Sequence, residues 1–349
     1  MICPSCTSTA PTTGLGATLP SPRRASCKHR CMKNSCRFRS MNAFEIIMFA
    51  KILFRRLFSA DDLKNMTIQS AFASLVTAIR PVYDAREAAN IAHLVMEHIT
   101  GLGKLDRVVH KDADLSPAQE TQYQQALNDL LEHRPVQHIT GKSWFYGLEL
   151  VVNDQVLIPR PETEELVEWI LLDHPSKPAL RLLDIGTGSG SIPIALKNQW
   201  PVADVWAMDV SAGAIAIATR NAGIQHTPIR FLHHDVLSAD TYKVLPTFNI
   251  IVSNPPYIPE QEKRGMQKQV EAFEPSIALF VPDKDPLLFY RTIAMLAKEK
   301  LEPKGRLYFE IHESYGAAVT EMLKKKGFTD VQLKQDMFGK DRMVRGTRP

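Results

Sequence analysis

Five short apolar runs, parted by stretches of helical spacing, constrain the second half of this chain more than any other feature. They are LRLLDIG (180–186), ADVWAMD (203–209), IRFLHHD (229–235), FNIIVSN (248–254) and GRLYFEI (305–311). Runs that are apolar throughout, rather than alternating, suit strands buried on both faces. Their alternation with helices specifies an α/β chain with a parallel, doubly wound sheet. In such sheets ligands sit beyond the carboxyl ends of the strands, so the residues that end each run are the ones to read for function.

Four of those ends carry polar groups or glycines. The first continues as LLDIGTGSG, with Asp184, Gly186, Gly188 and Gly190. Glycines there let the backbone turn tightly and approach a ligand at a helix N-terminus, whether the pyrophosphate of a dinucleotide or another anionic or polar group. The second is Asp209, 19 residues after Gly190. It is placed to accept from a ribose diol, and equally to cap the helix that begins in DVSAGAI. The third, Asp235, can accept from an adenine amino group. The fourth is Asn254, followed by two prolines and a tyrosine in SNPPYIPE. Proline fixes φ and has no N–H, so the strand must stop there on a rigid corner. A plain strand-terminating turn would need no amide and no phenol at that corner.

The combination resembles the class I S-adenosylmethionine-dependent methyltransferases. More narrowly it resembles the family that methylates the glutamine side-chain amide of peptide chain release factors. RPVQHITGKSWFYGLEL, VLIPRPETEELVE, LLDIGTGSGSIPIAL, FNIIVSNPPYIP, FEPSIALF and GKDRMV carry the resemblance, which runs from Met66 to the C-terminus. NPPY alone is shared with DNA adenine-amino methyltransferases; IPRPETE together with NPPYIP is far narrower. The resemblance implies a mostly parallel, seven-stranded Rossmann-like sheet. It implies S-adenosyl-L-methionine held by Gly186, Thr187, Gly188, Ser189, Gly190, Asp209, Asp235, Val236 and Asn254. Asn254, Pro255 and Tyr257 become the catalytic residues, and with Pro256 they form the substrate corner. The expected partner is a class I release factor, methylated at the glutamine of its Gly-Gly-Gln tip by a monomeric enzyme with no metal, membrane or nucleic-acid requirement. IPRPETE is expected to close over the site and Phe273-Glu274-Pro275 to lie in a flap. Two stretches depart from the family pattern: Asp285-Pro286-Leu287 stands where the family shows DGL, and EIH (310–312) where it shows EIG.

The chemistry accounts for the corner. A carboxamide nitrogen is a weak nucleophile because its lone pair is delocalised into the carbonyl. Acceptors aimed at its N–H groups orient it and stabilise the positive charge that develops during attack. The Asn254 side-chain oxygen and the Pro255 carbonyl are two such acceptors, and the Tyr257 ring can pack on the planar amide, with a cation–π contribution as charge develops. No strong base is required. Three other readings compete. A glutamine methyltransferase acting on a ribosomal protein would share this site. A nucleic-acid adenine methyltransferase would need a basic groove around a flipped base. A non-catalytic cofactor sensor would have no use for an intact NPPY.

Charge and cysteine content divide the chain at Met66. Residues 1–65 hold 11 of the 42 Lys and Arg and only three of the 38 Asp and Glu, which leaves 31 bases against 35 acids in the remainder. The body is therefore mildly acidic and lacks the basic balance of a duplex-DNA binder. Cys3, Cys6, Cys27, Cys31 and Cys36 all lie in the leader, and their spacing offers no second CxxC to complete a metal site. The body has no disulfide framework, as suits a reducing compartment. The leader reads as a disordered or non-native extension upstream of a start at Met66. The expected location is then cytoplasmic, or an organelle if the basic, acid-free first 40 residues are a transit peptide.

From Met66 the expected organisation is a helical substrate-recognition domain (66–140), a β-hairpin linker (141–159) and the methyltransferase domain (160–349). Ser116 and Pro117 open one helix, with Glu120 near the capping-box position. In SWFYGLELVVNDQVLIP two β-rich runs flank Asn153-Asp154, which predicts the hairpin turn there. RPETEE (160–165) reads locally as a helix start, with Pro161 early and acids in the first turn.

Overall fold

The computed structural model describes residues 66–175, 179–238, 240, 243, 245–266 and 268–349. The leader, on which the extension, cysteine and transit-peptide readings fall, lies outside them. Helices α1 (Ile68–Ile79), α2 (Ala85–Thr100), α3 (Lys104–Val109), α4 (Pro117–Leu131) and α5 (Val136–Thr140) come first. Their apolar stripes meet in a core that includes Leu75, Ile79, Val95, Met96, Tyr123 and Leu130, all fully buried. The start of α4 is a capping box, but its partner is Gln119 rather than Glu120. Gln119 accepts from the Ser116 N–H at 2.9 Å while its own N–H donates to Ser116 Oγ at 3.4 Å. Gln119 is the third helical residue, the position from which a side chain reaches back to the cap.

The hairpin comprises β1 (Lys142–Phe145) and β2 (Leu148–Val151), joined at Tyr146-Gly147. This corrects the expected turn at Asn153-Asp154. Tyr146 and Gly147 have φ of 49° and 77°, the pair of positive values that a tight two-residue hairpin turn needs to match strand twist. Asn153 instead makes a separate local turn, its side chain accepting from the Gln155 N–H at 3.0 Å. That turn steers 155–157 toward the site described below.

The remainder is α6 (Pro161–Asp173), β3 (Arg181–Ile185), α7 (Ser191–Gln199), β4 (Asp204–Asp209), α8 (Ala212–Ile224), β5 (Arg230–His233) and β6 (Phe248–Ser253). There follow β7 (Ile258–Pro259), α9 (Lys268–Phe273), α10 (Ser276–Leu279), β8 (Phe280–Val281), α11 (Leu288–Lys300), β9 (Leu301–Glu310), α12 (Gly316–Lys325), β10 (Thr329–Gln335) and β11 (Asp341–Thr347). Seven strands form one sheet in the order β10-β11-β9-β6-β3-β4-β5. The pairs from β9 to β5 are parallel and β11 is antiparallel to both its neighbours. Alternation of side chains across the sheet sends Leu182 to the face covered by α6 and α7, and Leu183 to the face covered by α11 and α12. Both are fully buried, and each contributes about 1.5–3 kcal/mol relative to exposure. Among the described residues no helix is long and apolar enough to cross a membrane.

The topology switches between β3 and β6. From β3 the chain adds β4 and β5 on one side, then returns to lay β6 on the other. The loops leaving β3 and β6 therefore part from each other and open a crevice. Gly190 holds the first loop against the helices. It caps α7 with φ of 81°, and an added Cβ would lie 2.9 Å from Ile194 Cδ1 and 3.1 Å from the Ala218 Cβ. Gly190→Ala should therefore lower the unfolding free energy by about 1–3 kcal/mol, since it combines overpacking with left-handed strain. Urea unfolding followed by circular dichroism measures this, and an unchanged midpoint would show that α7 and α8 move apart freely.

Candidate active site

The crevice at the switch point holds two adjoining cavities. The first, about 290 Å³, has Gly186, Gly188, Asp209, Asp235, Val236 and Asn254 in its wall, together with Pro255, Pro256 and Gln155–Leu157 among others. The second, about 280 Å³, is lined by Tyr257, Arg160, Ile258 and Val270. Leu157, Asn254 and Ala278 belong to both, so Asn254 stands at their junction.

Strand register explains this placement. Ile185 pairs with Ser253 across β3 and β6, and Ser253 pairs with Phe309 across β6 and β9. Gly186, Asn254 and Glu310 are each one residue further on and emerge side by side. Ser253 Oγ donates to the Ile185 carbonyl at 2.7 Å and is itself fully buried, which ties the two strand ends together.

Asp209, ending β4, is not the helix cap; Ser211 takes that role by accepting from the Ala214 N–H at 3.2 Å. Each Asp209 oxygen accepts one backbone N–H at 2.9 Å, from Gly188 and from Ser211. Burial raises its carboxyl above the usual range while those N–H groups pull it back. Because a carboxylate has about four acceptor sites, Asp209 keeps lone pairs for a ligand. Thr187, Ser189 and Gly190 do not line the cavity. They form the back of the loop, where the Ser189 carbonyl accepts from the Asn221 amide at 2.9 Å. Asp235 reaches the cavity rim.

Around Asn254 the structure adds residues that the sequence left without a role. Asn254 Nδ2 donates to Thr163 Oγ1 at 3.2 Å, and Thr163 Oγ1 donates to Glu310 Oε2 at 2.6 Å. Tyr257 Oη donates to Glu310 Oε1 at 3.2 Å. Burial, reinforced by the Glu310 charge, pushes the Tyr257 phenol far up, so it remains a donor. RPETEE is thus both a helix start and part of the site, since Thr163 is the third residue of α6. Glu274, 5% exposed, accepts from the Ile158 N–H at 3.1 Å and pairs with Arg160 Nη2 at 2.5 Å. It thereby pins the IPRP segment to the segment after NPPYIP. PETE and EIH were visible as motifs, but nothing local marks Thr163 and Glu310 as partners 147 positions apart.

Beneath the glycine loop, Asp184 is 1% exposed and neither oxygen accepts a hydrogen bond. Burial pushes its carboxyl up to about 7. The Thr187 hydroxyl beside it pulls the other way, though without hydrogen-bond geometry. An unfolded chain releases this proton near the ordinary value of 3.8, so between there and about 7 the folded state binds more protons and loses stability as pH rises. In Asp184→Asn that loss should vanish. Melting temperatures of the ligand-free protein at pH 5 and pH 8 should fall less with pH in the variant than in the wild type. Parallel curves would place the charged form of Asp184 comfortably in the fold.

Residues 80–141 match the family described as the PrmC N-terminal domain, and residues 167–273 match the methyltransferase small domain. A release factor glutamine methyltransferase of Flavobacterium psychrophilum is 41% identical over 283 residues, covering 80% of this chain and 99% of its own. One of Bacteroides thetaiotaomicron is 42% identical, covering 78% of this chain and 96% of its own. One of Chlorobaculum tepidum is 39% identical, covering 72% and 87%.

Proposed function

This chain belongs to the release factor glutamine methyltransferases, and we propose that its two cavities bring together S-adenosyl-L-methionine and the glutamine of a release factor's Gly-Gly-Gln tip. The product is a glutamine methylated on its side-chain amide nitrogen. The observation that carries this reading is Asn254 in the wall common to both cavities. A residue there can bind the acceptor nitrogen on one side while facing the methyl donor on the other.

The first cavity suits the donor. Gly186 and Gly188, at φ of 75° and 54°, bring bare backbone to its wall. Asp209 offers its remaining lone pairs to the ribose hydroxyls, and Asp235 an acceptor at the adenine end. Thr187, Ser189, Gly190 and Val236 hold the loop and rim that shape the cavity. The bound sulfonium supplies an electrophilic methyl group. The chain's own residues do the rest. Asn254 Oδ1 and the Pro255 carbonyl accept from the substrate N–H groups and hold the nitrogen lone pair toward the first cavity. Both bonds strengthen as positive charge builds on nitrogen, which lowers the barrier without a strong base. Pro256 keeps the corner rigid, and the Tyr257 ring closes one face of the amide. The proton leaves readily because the methylated nitrogen has become acidic.

Arg160 lines the second cavity and also an outer cleft with Glu97 and His98 of α2 and Trp144 of β1. Trp144 is 65% exposed. The helical region and hairpin present this cleft to the body of the release factor, while its small-residue tip enters the second cavity.

Asn254→Ala should lower the methyl-transfer rate by about 10²–10³, as loss of a preorganised transition-state contact does, with little change in cofactor affinity. Asp209→Ala should do the reverse, weakening cofactor binding by about 1.5–3 kcal/mol for each charge-assisted bond removed. Labelled-methyl transfer to purified release factor, with calorimetry for the cofactor, measures both. Transfer to adenine in DNA but not to the release factor would overturn the assignment. Equal transfer to a release factor with bulky residues in place of the two glycines would show that the second cavity does not select a narrow tip.

A further inference from the structure

We propose that Glu310 and Thr163 are positioning residues that decide which end of the Asn254 amide faces the substrate. They do so by giving a buried hydrogen-bond chain a single direction. The two ends of a carboxamide are nearly the same shape, yet only one orientation works here. With Oδ1 inward, Asn254 accepts from the substrate N–H; with Nδ2 inward, two donors would confront each other. The corner itself does not choose, because Pro255 and Pro256 have no N–H to claim the oxygen.

The choice is made behind Asn254. A threonine hydroxyl has one hydrogen, and Thr163 gives it to Glu310 Oε2 at 2.6 Å. Only lone pairs then remain on Oγ1 toward Asn254, so the amide must present its Nδ2, as it does at 3.2 Å. The second Glu310 oxygen takes the Tyr257 hydroxyl hydrogen at 3.2 Å. With Glu310 ionised, its carboxylate accepts only; in that state Asn254 donates to Thr163, and both Thr163 and Tyr257 donate to Glu310. A flipped amide would set Oδ1 against the Thr163 lone pairs. Glu310 and Thr163 are 1% and 3% exposed, so water does not substitute for either link. Burial raises the Glu310 carboxyl, while the Thr163 hydroxyl, Arg342 and Tyr257 draw it back. The strand end is held independently, since Tyr290 Oη donates to the Glu310 carbonyl at 3.4 Å.

The inference rests on the glutamine-methylation reading, and three variants separate the two. Glu310→Gln keeps the shape but must point an N–H at one of the two hydroxyls, and turned toward Thr163 it reverses the chain. Thr163→Val removes the link, and Thr163→Ser restores it. In single-turnover transfer to purified release factor, Thr163→Val should slow the chemical step about 10- to 100-fold, less than outright loss of a preorganised contact; Glu310→Gln should do the same with its N–H turned toward Thr163 and stay near wild type with it turned toward Tyr257, so the Thr163 pair decides. Thr163→Ser should stay within about threefold of wild type, and so should the cofactor Kd of all three variants. A rate near wild type in Thr163→Val, a Thr163→Ser as slow as Thr163→Val, or a cofactor affinity that falls in step with the rate would each overturn the positioning role. Asn254→Ala serves as the reference: full activity in that variant overturns the site reading itself, whereas collapse there beside a normal Thr163→Val removes only the chain.

Discussion

Between Ile185 and Ser253 two parallel strands meet in register, with the Ser253 hydroxyl bonded to the carbonyl of its neighbour at 2.7 Å. The candidate active site is arranged around that contact. The glycine loop leaves one strand and the Asn-Pro-Pro-Tyr corner leaves the other, and the strand order makes them diverge around a crevice. One step in register would turn Asn254 to the opposite face of the sheet. The packing of Leu182 and Leu183 into separate cores on the two faces opposes such a slip, so hydrophobic burial guards the position of a polar site.

The site is rigid through polar links of a particular kind. Glu274 and Glu310 are buried carboxylates, and each gathers donors from segments distant in sequence. Glu274 binds the Ile158 N–H and Arg160; Glu310 binds Thr163 and Tyr257. A buried carboxylate left short of donors is costly. The segments are thus held together by the cost of parting them as much as by the strength of any one bond. Asp184 is the contrast, a buried carboxyl without a partner whose burial favours the protonated form.

Much of this was legible beforehand. The strand ends at Gly186, Asp209, Asp235 and Asn254 follow from apolar runs that stop on groups a sheet cannot bury. The helix starts at Ser116 and Pro161 follow from local cap chemistry, though Gln119 rather than Glu120 answers Ser116. The hairpin turns at Tyr146-Gly147 rather than at Asn153-Asp154 for a physical reason. Asn-Asp is a generic turn former, whereas Tyr146 takes a positive φ that its type adopts rarely. Its N–H is held by the Glu164 carboxylate at 2.9 Å, a support that only the folded chain provides.

Taken alone, the sequence determined which stretches are strands or helices, where the backbone must turn tightly, and that an amide and a phenol stand on a donor-poor corner. These are matters of local period, backbone freedom and side-chain type, and they hold whatever lies opposite. The tertiary structure decided which strands are neighbours, and so that the corner faces the glycine loop. It decided that Asn254 lies between two cavities, and that Thr163 and Glu310 stand behind it. Those outcomes depend on pairing and on hydrogen-bond direction between groups up to 147 residues apart. A linear pattern carries the period of an element but not the identity of its partner, because partners are selected by the burial and polar satisfaction of the whole fold at once.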